Sequence, residues 1–203
     1  MENKKSIVIY GGSFNPPHNM HFSIAEQALK QYEEIEKVIF IPINNKYSKP
    51  GIIENEHRYQ MLKSVINKKE RFELSDVDMY GEKSVLTVNT LEQMEKYYEN
   101  REIWVLVGSD NLKKIHTWYR AEDLLRNYKI LVMERDEDSI EDIINSNELL
   151  KNNKSNIKKL NSCIKNNLSA TYIRKQIEEG NRIEKYVPKE VLEYIQKNKL
   201  YKA

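Results

Sequence analysis

The most constraining feature of the sequence is a change of hydrophobic period across residues 6–32. Ser6 to Tyr10 (SIVIY) is a short, nearly all-apolar run of the kind a central parallel strand needs when both of its faces are covered. It stops at Gly11-Gly12 and gives way to SFNPPHN, where the glycine pair and two prolines predict a fixed loop. From Met20 the apolar residues recur at helical spacing, through Ile24, Ala28, Leu29 and Tyr32, and predict an amphipathic helix to about Gln31. Val38 to Ile41 reads as a second strand, ended by Pro42. Strand, rigid loop, helix and strand make a βαβ unit, for which a right-handed crossover is expected.

The alternation continues. Glu56 to Ile66 predicts a helix with Tyr59, Leu62 and Ile66 as its inner stripe, Phe72 to Leu74 a short strand, and Thr87 to Tyr98 a further helix. Ile103 to Val107 (IWVLV) is another buried-strand run and meets Gly108-Ser109-Asp110 at once. A helix from Ala121 to Arg126 and a strand from Lys129 to Met133 follow. Strands alternating with helices favour an α/β fold with a Rossmann-like open, mostly parallel sheet flanked by helices. Glu134 to Asn156 is charged and Asn-rich, with one helix expected over Ile140 to Leu150 and either a solvated insertion or a subunit contact as its role. In the tail, Ser169 or Thr171 can cap a helix that turns Ile173 and Ile177 inward and stops at Gly180. Pro188 suits the first turn of a last helix carrying Val191, Leu192 and Ile195 on one face.

A length of 203 residues fits one well-packed domain, with a helical C-terminal subregion over about residues 166–203. Thirty-three Lys plus Arg against 31 Asp plus Glu leave no large field to recruit a polyanion, so no nucleic-acid partner is expected. The single cysteine, Cys163, can form no internal disulfide, has no thiol companions for a metal cluster and lacks a paired histidine that would make it a nucleophile. The opening MENKKSIVIY lacks a signal-peptide core or spanning segment, and a cytoplasmic protein without a membrane partner is expected. For assembly the expectation is a homodimer, the commonest closed oligomer.

Three polar clusters fall where an open α/β sheet places its ligands, after strand ends or at helix starts: GGSFNPPHNMH at 11–21, GSDN at 108–111 and SATYIR at 169–174. Gly11 and Gly12 let the backbone approach a ligand without an intervening Cβ, and N–H groups exposed there can hold phosphate oxygens. His18 and His21, three apart at a helix start, project from neighbouring positions and can converge on one polyphosphate. The same pair can instead be half of a metal site or a structural contact, and no HExxH or Cys/His set accompanies it. Asp110, after a buried strand, can accept hydrogen bonds from ribose hydroxyls or cap the following helix. Trp118 offers a stacking face or a core filler, and Arg174, just inside a capped helix, a phosphate grip or a solvent-facing charge. The glycines match neither GxGxxG nor a P-loop, which lowers the rank of dehydrogenase and P-loop ATPase readings.

With these residues in view, the sequence resembles a known family. GGSFNPPHNMH is similar to the GSFxP...HxGH segment of the nucleotidylyltransferase superfamily. The tail LSATYIRKQIEEGNRIEKYVP...VLEYIQKNKLY is similar to the C-terminal signature of nicotinate or nicotinamide mononucleotide adenylyltransferases, and VGSDNLKKIHTWYRAEDLLRNYKILVMER to the family's Gly-(Ala/Ser)-Asp segment with its substrate-side Trp. The resemblance implies that Gly11, Gly12, Ser13, Phe14, His18, His21 and Gly108 meet ATP, that Asp110 holds its ribose, and that Ser169, Thr171 and Arg174 close over the triphosphate. Trp118 would stack on a pyridine ring with Thr87 nearby, while Asn44, Lys46, Tyr47 and Lys49 would border the mononucleotide phosphate. His18, His21 and Arg174 would act on the reaction itself. The implied partners are ATP and a pyridine mononucleotide, and the implied cofactor is Mg2+ brought with ATP. The implied reaction is attack by the mononucleotide phosphate on the α-phosphorus of ATP, giving NAD or its deamido form and pyrophosphate, with no covalent enzyme intermediate and no protein metal site.

Departures from the family pattern bear on substrate choice. Met20 stands where HxGH has glycine, Asn15 where bacterial members commonly have Asp, and Leu86 where many have Tyr. The NPxxNMH form and PINNKYSKPG at 42–51 look more like eukaryotic-type nicotinamide enzymes. Nicotinate and nicotinamide forms both remain open at this point, as do transfer to another phosphate acceptor, cytidylyl transfer, and a nucleotide-binding module without turnover.

Overall fold

The computed structural model describes residues 5–47, 51–80, 88–134, 138–161 and 168–202. In chain order the elements are β1 (Ser6–Gly12), α1 (Asn19–Gln31), β2 (Ile35–Pro42), α2 (Asn55–Ile66), β3 (Phe72–Leu74), α3 (Val88–Tyr97), β4 (Glu102–Gly108), α4 (Ser109–Leu112), α5 (Ala121–Asn127), β5 (Lys129–Met133), α6 (Ile140–Asn145), α7 (Glu148–Asn152), β6 (Ile157–Leu160), α8 (Ala170–Glu178) and α9 (Lys189–Lys197). The strands form one sheet in the order β3-β2-β1-β4-β5-β6. It is a Rossmann-like, open parallel sheet flanked by helices, as the alternation predicts. The order runs one way from β1 to β3 and the other way from β4 to β6, and such a reversal leaves a crevice outside the strand carboxyl ends where ligands bind.

The chain divides into two compact units, one of residues 1–11, 24–39 and 86–167 and the other of 12–23, 40–85 and 168–203. In the first, β1, β4, β5 and β6 run parallel in register. Ile7, Val8, Ile9, Val105, Ile130, Leu131 and Val132 are fully buried, which is why these strands read as continuous apolar runs rather than alternating ones. The C-terminal end of α1 is tied to the edge strand: Gln31 Nε2 and Tyr32 Oη each donate to the Lys159 carbonyl at 2.8 Å. In the second unit the Phe40 ring is an aromatic hub, with the ring centroids of Phe14, Phe22 and Phe72 at 5.7, 5.6 and 5.2 Å from its own.

Several expectations need correction. The inner stripe of α2 is Arg58, Met61, Leu62, Val65 and Ile66, with Tyr59 only half-buried. The helix expected over Ile140 to Leu150 is two short helices, each started by its own side-chain cap: Ser139 accepts from the Asp142 N–H, and Asn147 from those of Leu149 and Leu150. These helices bury Ile140, Ile143, Ile144 and Leu150, so the charged segment contributes to the core rather than forming a solvated insertion. Sequence reading missed β6, whose IKKL carries two lysines between apolar ends, a pattern suited to a sheet edge. Ser169 caps α8, and Pro188 sits one residue before the first turn of α9.

The parallel registers also explain a polar cluster on the first unit's sheet. Ser6 lies opposite Glu102, and Trp104 opposite Lys129. Glu102 and Trp104, two apart on one strand, share a face. The Glu102 carboxylate accepts from Ser6 Oγ at 3.3 Å, Trp104 Nε1 at 2.8 Å and Lys129 Nζ at 2.8 Å. Burial opposes its ionisation, but the hydrogen bonds from Lys129 and Trp104 and the Lys129 charge outweigh that and hold the carboxyl below its usual range. A depressed folded pKa stabilises the protein above the unfolded value of about 4.3 and loses that contribution as pH falls through the folded value. Glu102→Gln is therefore expected to lower the Tm at neutral pH, with the two melting temperatures converging in acid below about pH 4. Thermal melts across pH check this, and a constant gap at all pH values would contradict it.

Candidate active site

The second unit carries the loop between β1 and α1, and its shape follows from two packing constraints. Phe14 has a φ of 45°, a conformation that costs a bulky residue energy and is held only where packing fixes it. Its ring is 1% exposed and stands edge-on to His21, with centroids 4.9 Å apart. A Cβ on Gly12 would lie 3.1 to 3.3 Å from three atoms of that ring, so a larger residue at position 12 fits only if the ring gives by a few tenths of an ångström.

His18 directly precedes α1, and His21 ends the helix's first turn. The His18 N–H donates to His21 Nδ1 at 3.1 Å, and the His21 N–H donates to the His18 carbonyl at 2.9 Å. This is half of a capping box, with imidazole in the place of the usual Glu or Gln. The two rings stack with centroids 3.6 Å apart and 23° between their planes. Because Nδ1 of His21 accepts a hydrogen bond, the neutral ring carries its proton on Nε2, which makes that nitrogen a donor. His18 is buried and His21 half-buried.

Below the loop lies a residue that sequence reasoning missed. Arg58 on α2 is fully buried and donates to the carbonyls of Ser13 (2.9 Å), Ile43 (2.6 Å) and Ile53 (3.3 Å) and to Asn55 Oδ1 (2.5 Å). The planar fork of an arginine suits this task, which one ammonium cannot do. Burial pulls its pKa down to about 10, so it stays charged at neutral pH. The signal in the sequence was an arginine one position before the apolar stripe of an amphipathic helix, where a solvent-facing charge is the ordinary reading.

Arg174, half-buried on α8, reaches the same loop, with Nη1 donating to the Asn15 carbonyl at 2.8 Å and Nη2 to Thr171 Oγ1 at 3.2 Å. Ser169 spends its hydroxyl oxygen on the Tyr172 N–H as the cap of α8. Asn44 is buried and accepts from the Lys46 N–H at 2.9 Å, shaping the short 3-10 turn Asn45–Tyr47, while Lys46 is exposed. This unit thus gathers Gly12, Ser13, Phe14, His18, His21, Asn44, Lys46, Ser169, Thr171 and Arg174 among the predicted positions. In the first unit, β1 and β4 are parallel neighbours, so Gly11, near the end of β1, and Gly108, the last residue of β4, lie at the carboxyl ends of adjacent strands. Asp110 is exposed in the first turn of α4, and Trp118 is half-buried after a 3-10 turn. Thr87 and Lys49 lie outside the described residues, as do the Tyr47 side chain, Cys163 and Leu86.

A sequence model of the cytidylyltransferase-like family matches residues 9–176, most of the chain. This chain belongs to the cytidylyltransferase-like family. Within it, the chain is 34% identical to a protein of Carboxydothermus hydrogenoformans named probable nicotinate-nucleotide adenylyltransferase, over 97% of this chain and 98% of that one. A Lachnoclostridium phytofermentans protein of the same name is 30% identical over 97% and 99% of the two chains. The chain is thus a member of the nicotinate-nucleotide adenylyltransferase group of that family. A solved structure with the same fold is a Plasmodium falciparum nicotinic acid mononucleotide adenylyltransferase complexed with NaAD, with a TM-score of 0.78, 23% identity and 97% of each chain covered. Two imidazoles and a helix start on this loop, with a guanidinium that reaches it from α8, are groups able to donate to anionic oxygen.

Replacing Arg58 by Met leaves several buried carbonyls without their donor and is expected to cost about 3 kcal/mol of stability. Arg58→Lys keeps the charge but cannot span the carbonyls, and is expected to recover less than half of that loss. Urea unfolding of the three proteins checks this, and full recovery by lysine would show that charge rather than the fork matters.

Proposed function

We propose that this protein is a nicotinate-nucleotide adenylyltransferase that moves AMP from ATP to nicotinate mononucleotide, giving deamido-NAD and pyrophosphate. The observation that carries the reading is the stacked His18–His21 pair, wired through its own backbone so that His21 Nε2 is a donor, on the loop that Arg174 also grips. Full-length relatives named for the nicotinate form support that acceptor over the nicotinamide form, despite Asn15 and Met20.

The attacking phosphate is already anionic, so the reaction needs positioning and charge neutralisation rather than a strong base. In this reading His18 and His21 donate to phosphate oxygens of ATP, more strongly as charge grows on them in the transition state. Arg174, with Thr171 and Ser169 at the start of α8, holds the triphosphate, and Gly11, Gly12, Ser13 and Phe14 shape the backbone against it. Asp110 and Gly108 take the ribose side. Trp118 and Thr87 face the pyridine ring, and Asn44, Lys46, Tyr47 and Lys49 border the acceptor phosphate. Among the described residues no group of three or more His, Cys, Asp or Glu side chains is gathered as a protein-held metal would need. Mg2+ arriving on ATP would be held by substrate phosphates and water and would neutralise charge on the departing pyrophosphate.

The two compact units are taken together as one nucleotidyltransferase domain in this proposal. No described helix is long and apolar enough to cross a membrane. A cytoplasmic homodimer without nucleic-acid or membrane partners completes the reading, in keeping with the nearly balanced charge.

Initial rates of pyrophosphate release with ATP and Mg2+ test the proposal. Turnover with nicotinate mononucleotide is expected at a higher kcat/KM than with nicotinamide mononucleotide, and little with CTP replacing ATP. His21→Ala is expected to lower kcat by about 100-fold or more while leaving the protein folded. No pyrophosphate with either mononucleotide, from folded protein that binds ATP, would direct the search to another acceptor.

A further inference from the structure

Near the C-terminal end of the sequence, a tyrosine hydroxyl reaches the loop between β1 and α1. Tyr201, two residues from the end of the sequence, donates its hydroxyl to Asn15 Oδ1 at 2.9 Å. Asn15 is 4% exposed, and every polar group of its side chain is engaged: Oδ1 also accepts from the Ile53 N–H at 3.4 Å, and Nδ2 donates to the Gly51 carbonyl at 3.0 Å. Its main-chain carbonyl is the acceptor for Arg174 Nη1. One buried amide therefore connects the chain end to the guanidinium that grips the loop.

We infer that Tyr201 is a positioning residue for nucleotide binding, which fixes Asn15 through its side chain and thereby sets the carbonyl that orients Arg174. The inference rests on the functional reading above insofar as Arg174 contacts the triphosphate. Three observations carry it. The Ile53 bond to Asn15 Oδ1 is long, so the Tyr201 hydroxyl is the shorter and better of the two contacts to that oxygen. Tyr201 holds a left-handed backbone conformation, with a φ of 60°, which the contacts of the chain end must maintain. Burial raises its pKa above the ordinary phenol range, against the nearby charges of Arg174 and Arg58, so the hydroxyl remains a proton donor. An aspartate at position 15 would lack the N–H that meets Gly51 and would place a carboxylate beside that acceptor carbonyl. The neutral amide accepts from tyrosine and donates to the carbonyl at once.

The test uses Tyr201→Phe, which keeps the ring and removes only the hydroxyl, in the wild-type and in the Arg174→Lys backgrounds. One buried neutral hydrogen bond corresponds to roughly a two- to tenfold change in an equilibrium. Tyr201→Phe is expected to weaken ATP binding, read by calorimetry, by about fivefold in the wild-type background and by less than twofold beside Arg174→Lys. A general structural role would give the same factor in both. In the protein without nucleotide, 15N relaxation at Arg174 Nε is expected to show greater side-chain mobility after Tyr201→Phe. Unchanged Arg174 mobility, or equal factors in the two backgrounds, overturns the inference. If the wild-type protein binds no ATP while Arg174 mobility still depends on Tyr201, the functional reading fails and the positioning role stands.

Discussion

A buried cation, with no carboxylate partner among the described residues, organises the unit that carries the histidine loop. Arg58 makes its hydrogen bonds to three backbone carbonyls and one amide oxygen, drawn from the loop after β1, the segment after β2 and the approach to α2. Segments far apart in sequence are thereby held at fixed spacing by one rigid group. Carbonyl dipoles satisfy the guanidinium's N–H groups but leave its net charge intact, and in a poorly solvated interior that charge extends further than it would at the surface. The loop above it is thus biased towards anions before any side chain at its surface is considered.

The aromatic packing and the histidine pair depend on that framework. Phe14 can occupy its unfavourable backbone conformation because Gly12 leaves space for its ring and because His21 and Phe40 close around it. His21 serves at once as a wall for Phe14, a stacking partner for His18 and the acceptor that completes the start of α1. A histidine used so heavily in structure has little rotamer freedom left, which favours catalysis by preorganised donors, because less reorganisation is needed when charge appears.

The sheet was legible in the sequence because its strands are buried on both faces, so SIVIY and IWVLV stand out as uninterrupted apolar runs. The loop and its histidines were legible because glycine, proline and a change of period fall together. The edge strand IKKL was hidden by its lysines, and α6 and α7 merged into one helix because their separate caps, Ser139 and Asn147, are ordinary residues in an Asn-rich stretch. Arg58 and Tyr201 were hidden for another reason. Arg58 meets distant backbone carbonyls and Tyr201 a distant side-chain amide, and a charged or aromatic side chain gives no sign in sequence of which distant group it will meet.

The order of the segments has a consequence for synthesis. Each compact unit is assembled from three stretches of chain, and the unit that carries the histidine loop draws its last stretch from residues 168–203. As the polypeptide leaves the ribosome, residues 12–18 emerge well before α8 and Tyr201. Closing contacts across so much intervening chain is slow compared with local folding. A nascent chain that has emerged only as far as β6 therefore presents this loop without Arg174 and Tyr201, its partners from the third stretch.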